Sequence, residues 1–292
     1  MTVAPGVAGM IDETVAEIEQ MQTQSSSVVA VKAAEALGSL AGEEVASLDE
    51  FSRLVEQHSR ALQRAKRSHA PLYTSQQRIV EEVTESDAET VAEAKERLRT
   101  VVDEVVEEIE SSKRRAGERA AELIEDGDTL LTHENSSTVM AAFEAALEAG
   151  TAFDVYVTEA RPRFLGRRTA RQLGPREGVD VTLIVDSAAG HFLPECDRVF
   201  LGMNCLVDDT VYNRIGTYPI AATADDVGVP VTVVGSSSKF IGSGFSFRND
   251  YRPASEMMHE PVEGFEVANP GYDATPTRLL DSVVTEDAVM GF

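Results

Sequence analysis

The 292-residue sequence has no tryptophan and only two cysteines. Cys196 and Cys205 lie in or near apolar runs and match no disulfide or metal-ligand spacing, so we expect buried thiols in a reducing cytoplasm. No segment approaches about 18 uninterrupted apolar residues, which argues against a membrane span. The first twenty residues also lack the charged start and long apolar run of a signal peptide.

Positive charge is scarce as well. The chain has 50 acidic and 26 basic residues, a formal net charge of −24, and only five of the basic residues are lysines. So acidic a chain lacks the positive face that direct nucleic-acid binding requires. A dense carboxylate surface with few lysines suits a high-salt cytoplasm, where the short Debye length screens self-repulsion. We therefore expect a halophilic source.

Residues 1–126 read as a helical N-terminal domain, rich in Ala, Glu, Val and Arg. In the last helical stretch, apolar residues recur at three- and four-residue steps between charged ones, which is typical of an amphipathic helix. Ser86 or Asp87 would cap that helix, and Pro71 with the preceding turn would end the one before it. The predicted helices span residues 11–21, 28–40, 48–67 and 87–124.

Residues 127–292 change character, because short β-branched runs now alternate with helical segments. This alternation predicts an α/β C-terminal domain with a doubly wound, Rossmann-like parallel sheet. Residues 242–270 are turn-rich and acidic and are expected to form a long surface excursion. The predicted strands are residues 129–132, 153–157, 181–185, 198–201, 229–234 and 282–285, and the predicted helices include 139–147, 167–173 and 216–227.

The segment 127–173 is the most informative, because it reads as one strand–loop–helix–strand unit. Its first loop, residues 133–137, leads into a helix, and ligands in such folds bind at the carboxyl ends of the strands. Ser136 and Ser137 could therefore contribute to an anion site at the helix N-terminus. The alternative is that they only cap the helix.

Several segments of the second half resemble the motifs of one family. They are Thr132–Ser137, Thr158–Pro162, Asp186–Ala189, Gly202–Asn204, Asn213–Thr217, Ser238–Phe240, Asn269–Pro276 and Thr285–Glu286. Their order and spacing are similar to those of the family that contains the alpha, beta and delta subunits of translation initiation factor 2B. The same family holds the ribose-1,5-bisphosphate and methylthioribose-1-phosphate isomerases.

The departures from this family bear on catalysis. The resemblance implies an acid/base cysteine after the Thr-His pair and an aspartate as its partner, but the chain has Glu134 and Asn204 there. An amide cannot accept and return a proton near neutral pH, whereas a carboxylate can. Both remain catalytic candidates. The alternatives are a solvated or helix-dipole carboxylate for Glu134 and a structural turn residue for Asn204.

The phosphate-binding positions that the resemblance implies are partly lost. Two family arginines align with Gln24 and Ala70, and uncharged side chains cannot replace bidentate guanidinium contacts. The remaining ligand-binding candidates are Ser136, Ser137, Arg161, Asn213, Arg214 and Lys239. Arg161 could instead anchor a loop through Glu159 or Asp186, and Arg214 and Lys239 could belong to an interface or core rim.

The resemblance favours a non-catalytic protein that acts in translation initiation or its regulation through protein binding, with an initiation factor 2 subunit as a possible partner. An aldose–ketose isomerase of a phosphorylated ribose, or a sensor of a sugar phosphate or nucleotide, is the alternative. We expect a cytoplasmic homo-oligomer. We expect no cofactor and no metal, since the histidines (His69, His133, His191 and His259 among them) lack ligand spacing.

The charge excess generates a prediction about stability. The melting temperature should rise steeply between dilute buffer and about 1 M potassium chloride, because salt screens the repulsion among carboxylates. Thermal unfolding followed by circular dichroism at pH 7 measures this. A flat response would remove the halophilic interpretation.

Overall fold

The computed structural model describes residues 7–20, 25–66, 68–241, 247–260 and 263–292. By contacts the chain divides into two compact units, residues 1–111 and 112–292. The division falls fifteen residues before the boundary at 126/127 that we proposed from composition, because the last turns of a long helix pack with the second unit. We describe each unit separately.

The first unit is helical, as expected. Its core contains large side chains that are fully buried, among them Phe51, Leu62, Ile79 and Leu98. The predicted end of the first helix at Met21 lies outside the described residues. The helices are α1 (Val7–Gln20), α2 (Ser26–Gly38), α3 (Leu48–Ala65), α4 (Ala70–Thr84) and α5 (Val91–Ala121), the last of which continues into the second unit.

Helix α4 was not predicted, because we read Pro71 only as a helix breaker. Pro71 lies in the first turn of α4. Its missing N–H costs nothing there, since the first N–H groups of a helix have no intrahelical acceptor. Helix α3 already ends at Ala65, and Pro71 belongs to the start of the next helix.

The N-terminus of α5 is also placed differently from the prediction. Neither Ser86 nor Asp87 caps it. Thr90 Oγ1 accepts from Glu93 N at 3.2 Å, and Glu93 Oε2 accepts from Thr90 N at 3.1 Å, which together make a capping box. The backbone N–H groups of Glu89 and Thr90 lower the pKa of Glu93. Reciprocal bonding at Thr90 and Glu93 therefore starts the helix four residues later.

The second unit is built on a seven-stranded sheet in the order β11-β10-β7-β4-β1-β2-β3. All neighbours are parallel except β10 and β11, so the sheet is mostly parallel but mixed. Its strands are β1 (Thr129–His133), β2 (Phe153–Glu159), β3 (Val179–Val185), β4 (Arg198–Gly202), β7 (Val231–Val234), β10 (Ser282–Val284) and β11 (Val289–Gly291).

Apolar layers cover the two faces of this sheet. On one, Phe143 packs against Phe153 and Phe200, with ring centroids 5.3 and 5.9 Å apart. The other contains residues such as Leu201 and Ile220. The arrangement confirms the predicted α/β class. The helices are α6 (Ser137–Glu148), α7 (Gly166–Leu173), α8 (Ala189–Phe192) and α9 (Thr217–Val227).

A second, four-stranded sheet was not predicted. Its order is β8-β5-β6-β9, formed by β5 (Cys205–Val207), β6 (Thr210–Arg214), β8 (Phe240–Ile241) and β9 (Tyr272–Pro276). The described part of the expected excursion, residues 247–260 and 263–270, has one short 3-10 turn and a single bridge between Tyr251 and Pro270. Residues 242–246 and 261–262 lie outside the described residues.

Candidate functional site

The carboxyl end of β1 is organised by a buried histidine. His133 Nδ1 lies 2.7 Å from Thr158 Oγ1, and Nε2 lies 2.8 Å from the carbonyl oxygen of Ile215. A carbonyl can only accept, so Nε2 carries the proton and Nδ1 accepts from the threonine hydroxyl. Burial lowers the pKa of His133, which keeps the ring neutral. His133 is therefore a fixed structural link and not a proton shuttle.

Glu134, the first catalytic candidate, is only 4 % exposed and adopts a left-handed backbone conformation with φ of 58°. Its carboxylate accepts from Ala160 N at 2.5 Å, from Leu165 N at 3.2 Å and from the backbone N–H of Gly166. Burial raises its pKa in spite of these donors. The side chain is thus not solvated, and the helix whose N-terminus it meets is α7, not α6.

These bonds fix the loop that joins β2 to α7. The start of α7 also packs closely on β2, since a Cβ on Gly166 would overlap the carbonyl oxygen of Thr158. Thr169 Oγ1 donates to the Glu134 carbonyl oxygen at 2.7 Å, and Asn135 Nδ2 donates to Thr169 Oγ1 at 2.9 Å. Glu134 consequently anchors a loop at the position where the resemblance implies a catalytic cysteine.

Ser136 is the N-cap of α6, with Oγ accepting from Val139 N at 3.4 Å. A Cβ on Gly202 would overlap this hydroxyl, so a glycine is required at the end of β4 for the cap to form. Ser137 begins the helix and is half-buried. The capping function of Ser136 is therefore seen directly, and its use in an anion site stays a prediction.

Lys239 lies beside the same end of β4. The side chain is 5 % exposed, and its ammonium donates to the carbonyl oxygen of Met203 at 2.7 Å. Burial lowers the pKa of Lys239 to about 8. Glu286 holds the turn before the lysine by accepting from Ser237 N at 2.9 Å and Ser237 Oγ at 2.7 Å.

Asn204 follows Met203 and is 9 % exposed. Its backbone N–H donates to the carbonyl oxygen of Tyr212 at 2.8 Å, but within the described residues its side-chain Nδ2 meets no acceptor. Buried donors are rarely left unpaired in native proteins. The amide is therefore available to an acceptor that a ligand or water would bring.

The neighbouring thiols are unreactive. Cys196 and Cys205 are both free and buried, and burial raises the pKa of each to about 12. The positive charge of Lys239 lowers the pKa of Cys205, but by less than burial raises it. Neither cysteine takes the place of the missing acid/base residue.

Asn213 and Arg214 end β6. Asn213 Nδ2 donates to Thr217 Oγ1 at 3.0 Å, which in turn donates to the Arg214 carbonyl oxygen at 2.6 Å, so the asparagine closes the turn before α9. The guanidinium carbon of Arg214 lies 5.3 Å from the centre of the Tyr272 ring. Arg214 thus has a stacking partner, which orients it without neutralising it.

Arg161 does not pair with Glu159 or Asp186, the two carboxylates considered above. Its Nη2 donates to the Met257 carbonyl oxygen at 2.8 Å, while Glu159 pairs with Arg167. Arg161 and Arg214 both line a cleft of about 290 Å³, a volume that includes the part open to solvent. Glu134, Arg163 and Arg252 line it too.

The structure thus places six of the eight predicted site residues in two groups within the second unit, while Ser137 begins α6 and Asn213 lies in β6. Ser136, Asn204 and Lys239 adjoin the end of β4, and Glu134, Arg161 and Arg214 share the cleft. Arg163 and Arg252 were not predicted, because both lie outside the motifs quoted above. For Arg163, the Arg-Pro-Arg sequence at 161–163 could have indicated a second arginine at the site. Gln24 lies outside the described residues, and Ala70 is fully buried at the start of α4.

A mostly parallel α/β unit with polar residues at the carboxyl ends of its strands is typical of folds that bind small ligands there. The sequence matches the initiation factor 2 subunit family over residues 22–291, and the chain belongs to that family. It is 32 % identical to a ribose 1,5-bisphosphate isomerase of Haloterrigena turkmenica, over 97 % of this chain and 90 % of the relative.

Solved structures agree with this assignment. The translation initiation factor eIF-2B of Pyrococcus horikoshii superposes with a TM-score of 0.82 and 26 % identity, covering 96 % of both chains. The tetrameric eIF2B-beta2-delta2 complex of C. thermophilum gives 0.77 at 17 % identity, covering 98 % of this chain and 92 % of that one. The second likeness concerns the fold, and it shows that family members form oligomers.

The described residues show neither a membrane-spanning helix nor a cluster of metal ligands. None of the helices there is long and apolar enough to cross a membrane. In the same part of the chain, no three His, Cys, Asp or Glu side chains are grouped so as to hold a metal ion.

The anchoring contacts of Glu134 predict the effect of Glu134→Gln. An amide nitrogen would face a backbone N–H, so the 160–166 loop should loosen and the free energy of unfolding should fall by about 1–3 kcal/mol. Hydrogen exchange at the Ala160 and Leu165 amides should accelerate, while Glu177→Gln, at an exposed position, should change neither quantity. Unaltered exchange in the Glu134 variant would show that the carboxylate does not hold the loop.

Proposed function

We propose that this chain binds a phosphorylated ribose, as a member of the isomerase branch of its family. The observation that carries the proposal is the pair of buried donors at the end of β4. The Lys239 ammonium has three N–H groups and donates one to Met203, and the Asn204 amide has no acceptor in the described structure. A buried ammonium and a buried amide at the end of one strand are suited to phosphate and hydroxyl oxygens.

The similarity to relatives named ribose 1,5-bisphosphate isomerases, which extends over nearly the whole chain, supports the same ligand class. It favours the isomerase alternative over the protein-binding role that we put first from the sequence. That role, with an initiation factor 2 subunit as partner, is a second candidate, favoured by the likeness to the Pyrococcus horikoshii translation factor. A homo-oligomeric state remains a proposal for this chain.

Turnover should nevertheless be slow. Aldose–ketose isomerisation moves a proton between neighbouring carbons, which requires a group that accepts and returns it. Asn204 cannot do so, and backbone N–H groups that donate to both oxygens of Glu134 hold its carboxylate against the β2–α7 loop. We therefore propose that the chain binds the ligand but transfers protons inefficiently, because it lacks the acid/base pair that the family resemblance implies.

The binding step is tested with Lys239→Met. Titration calorimetry of ribose 1,5-bisphosphate should show affinity at least about tenfold weaker than in the wild type, since a hydrogen bond to a charged group is lost. Because the pKa of Lys239 is about 8, wild-type affinity should also fall as the pH rises from about 7 to 9. The second pKa of a phosphate group is about 6, below this pH range, so phosphate ionisation contributes little to the fall in affinity.

Lys113→Met, at a half-exposed position on α5, is the matched control and should keep wild-type affinity and pH dependence. No binding by the wild type, or equal binding by the Lys239 variant, would contradict the proposal.

The catalytic step is tested with Asn204→Asp. The wild type should not isomerise ribose 1,5-bisphosphate at ordinary enzyme rates, and the variant should be about 10²-fold faster because it regains an acid/base group. The amide nitrogen lost in this change has no acceptor in the described residues, so no hydrogen bond among them is lost.

Asn135→Asp, in the loop after β1, controls for the added charge and should not accelerate the reaction. Wild-type turnover at 1–10³ s⁻¹, roughly the usual range for enzymes, would show instead that Glu134 or another group transfers the proton.

A further inference from the structure

The arginine-lined cleft is formed by different residues from those at the end of β4. Four guanidiniums line it, from Arg161, Arg163, Arg214 and Arg252. They come from two separate loops and the end of β6, so the fold brings them together from distant parts of the sequence. In a chain with a net charge of −24, four arginines around one cleft are unexpected and suggest that the cleft binds an anion.

One of the four cations is already neutralised. Arg163 makes a bidentate pair with Glu256, at 3.0 Å from Nε and 2.7 Å from Nη2. That pair is well shielded, with side-chain exposures of 11 % and 23 %. Arg163 therefore lines the cleft without offering free charge, and the positive charge available to a ligand comes from the other three arginines.

Those three have no carboxylate within ion-pair distance among the described residues. Arg161 is directed by the Met257 carbonyl oxygen and Arg214 by the Tyr272 ring. Neither contact uses up the charge, since a carbonyl or an aromatic face only orients a guanidinium. A phosphate is the natural acceptor, because its oxygens match the planar donor fork of arginine.

Arg252 is placed by its surroundings. Asn249 Oδ1 accepts from Gly271 N and Tyr272 N, both at 3.1 Å, which ties the segment before Arg252 to the start of β9. A Cβ on Gly271 would lie 3.0 Å from Arg252 Nε and 3.2 Å from its Nη2. The glycine leaves room for the guanidinium to lie against the backbone at the cleft.

The carboxylate of Glu134 also lines the cleft, but its oxygens face the backbone N–H groups of the β2–α7 loop. By holding that loop it sets the position of Arg161 and Arg163. With Glu256 paired to Arg163, the formal balance of these groups is four positive charges against two negative ones. The cleft therefore keeps a net positive charge.

We propose that Arg161, Arg214 and Arg252 form a second anion subsite, which takes a phosphate group of the ligand. The inference rests on the proposed function in one respect, because a bisphosphate would place one phosphate here and the other beside Lys239. It adds Arg161 and Arg252 as the residues that distinguish a bisphosphate from a monophosphate. The cleft would take over the role of the guanidiniums missing at Gln24 and Ala70.

The test is calorimetric titration of the full-length protein with ribose 1,5-bisphosphate and, separately, with inorganic phosphate at constant potassium chloride. Arg252→Gln should weaken bisphosphate binding at least about tenfold, and Arg161→Gln, at an exposed position that leaves the core intact, should act in the same direction. Arg168→Gln, on the exposed side of α7, is the matched control and should bind as the wild type does.

The outcomes separate the two proposals. Weaker binding in the Lys239→Met protein with unchanged binding in both arginine variants would overturn the subsite and leave the proposed function intact. Inorganic phosphate binding that depends on Arg252, without any bisphosphate binding by the wild type, would support the subsite and contradict the proposed function. Absence of binding by both probes would overturn both.

Discussion

One buried carboxylate holds the loop between β2 and α7 of the α/β unit in place. Glu134 accepts backbone N–H bonds from Ala160, Leu165 and Gly166, and these bonds set the path of the loop between β2 and α7. Removing a carboxylate from water is costly, and its raised pKa records that cost. Charge-assisted bonds to backbone N–H groups offset it. The left-handed backbone at Glu134 turns the chain so that the side chain can reach all three donors.

This arrangement gives a physical account of a family position that has changed its role. An acid/base residue must present to the substrate a group that can accept and return a proton. At Glu134 three backbone N–H groups hold the carboxylate against the β2–α7 loop, and at Asn204 the amide cannot accept a proton near neutral pH. The Lys239 ammonium and the three cleft arginines that have no carboxylate partner among the described residues, Arg161, Arg214 and Arg252, are the groups that we propose bind anions. Under our proposal, the chain keeps residues that bind a phosphorylated ligand and lacks the two residues that the family resemblance implies for proton transfer.

Much of the fold followed from the sequence, and the exceptions have local physical causes. Six of the seven strands of the large sheet were predicted, because parallel strands in such sheets read as short β-branched runs; the three-residue β11 was not. Helix α4 was missed since Pro71 signals both the end of one helix and the start of another. The small sheet was missed because β5 and β8 have three and two residues, too few to show a period. Arg252 could not be assigned to the cleft, since only the fold brings it next to Arg214.

The two thiols have a practical consequence for experiments on this molecule. A cysteine reacts as its thiolate, and with a pKa of about 12 only roughly one thiol in 10⁵ is ionised at pH 7. Both residues are also buried, with exposures of 8 % for Cys196 and 0 % for Cys205. We therefore expect the folded chain to react slowly with maleimides and mild oxidants. A single cysteine introduced on an exposed helix face would carry a fluorophore or spin label at one known position, with no native cysteine to remove first.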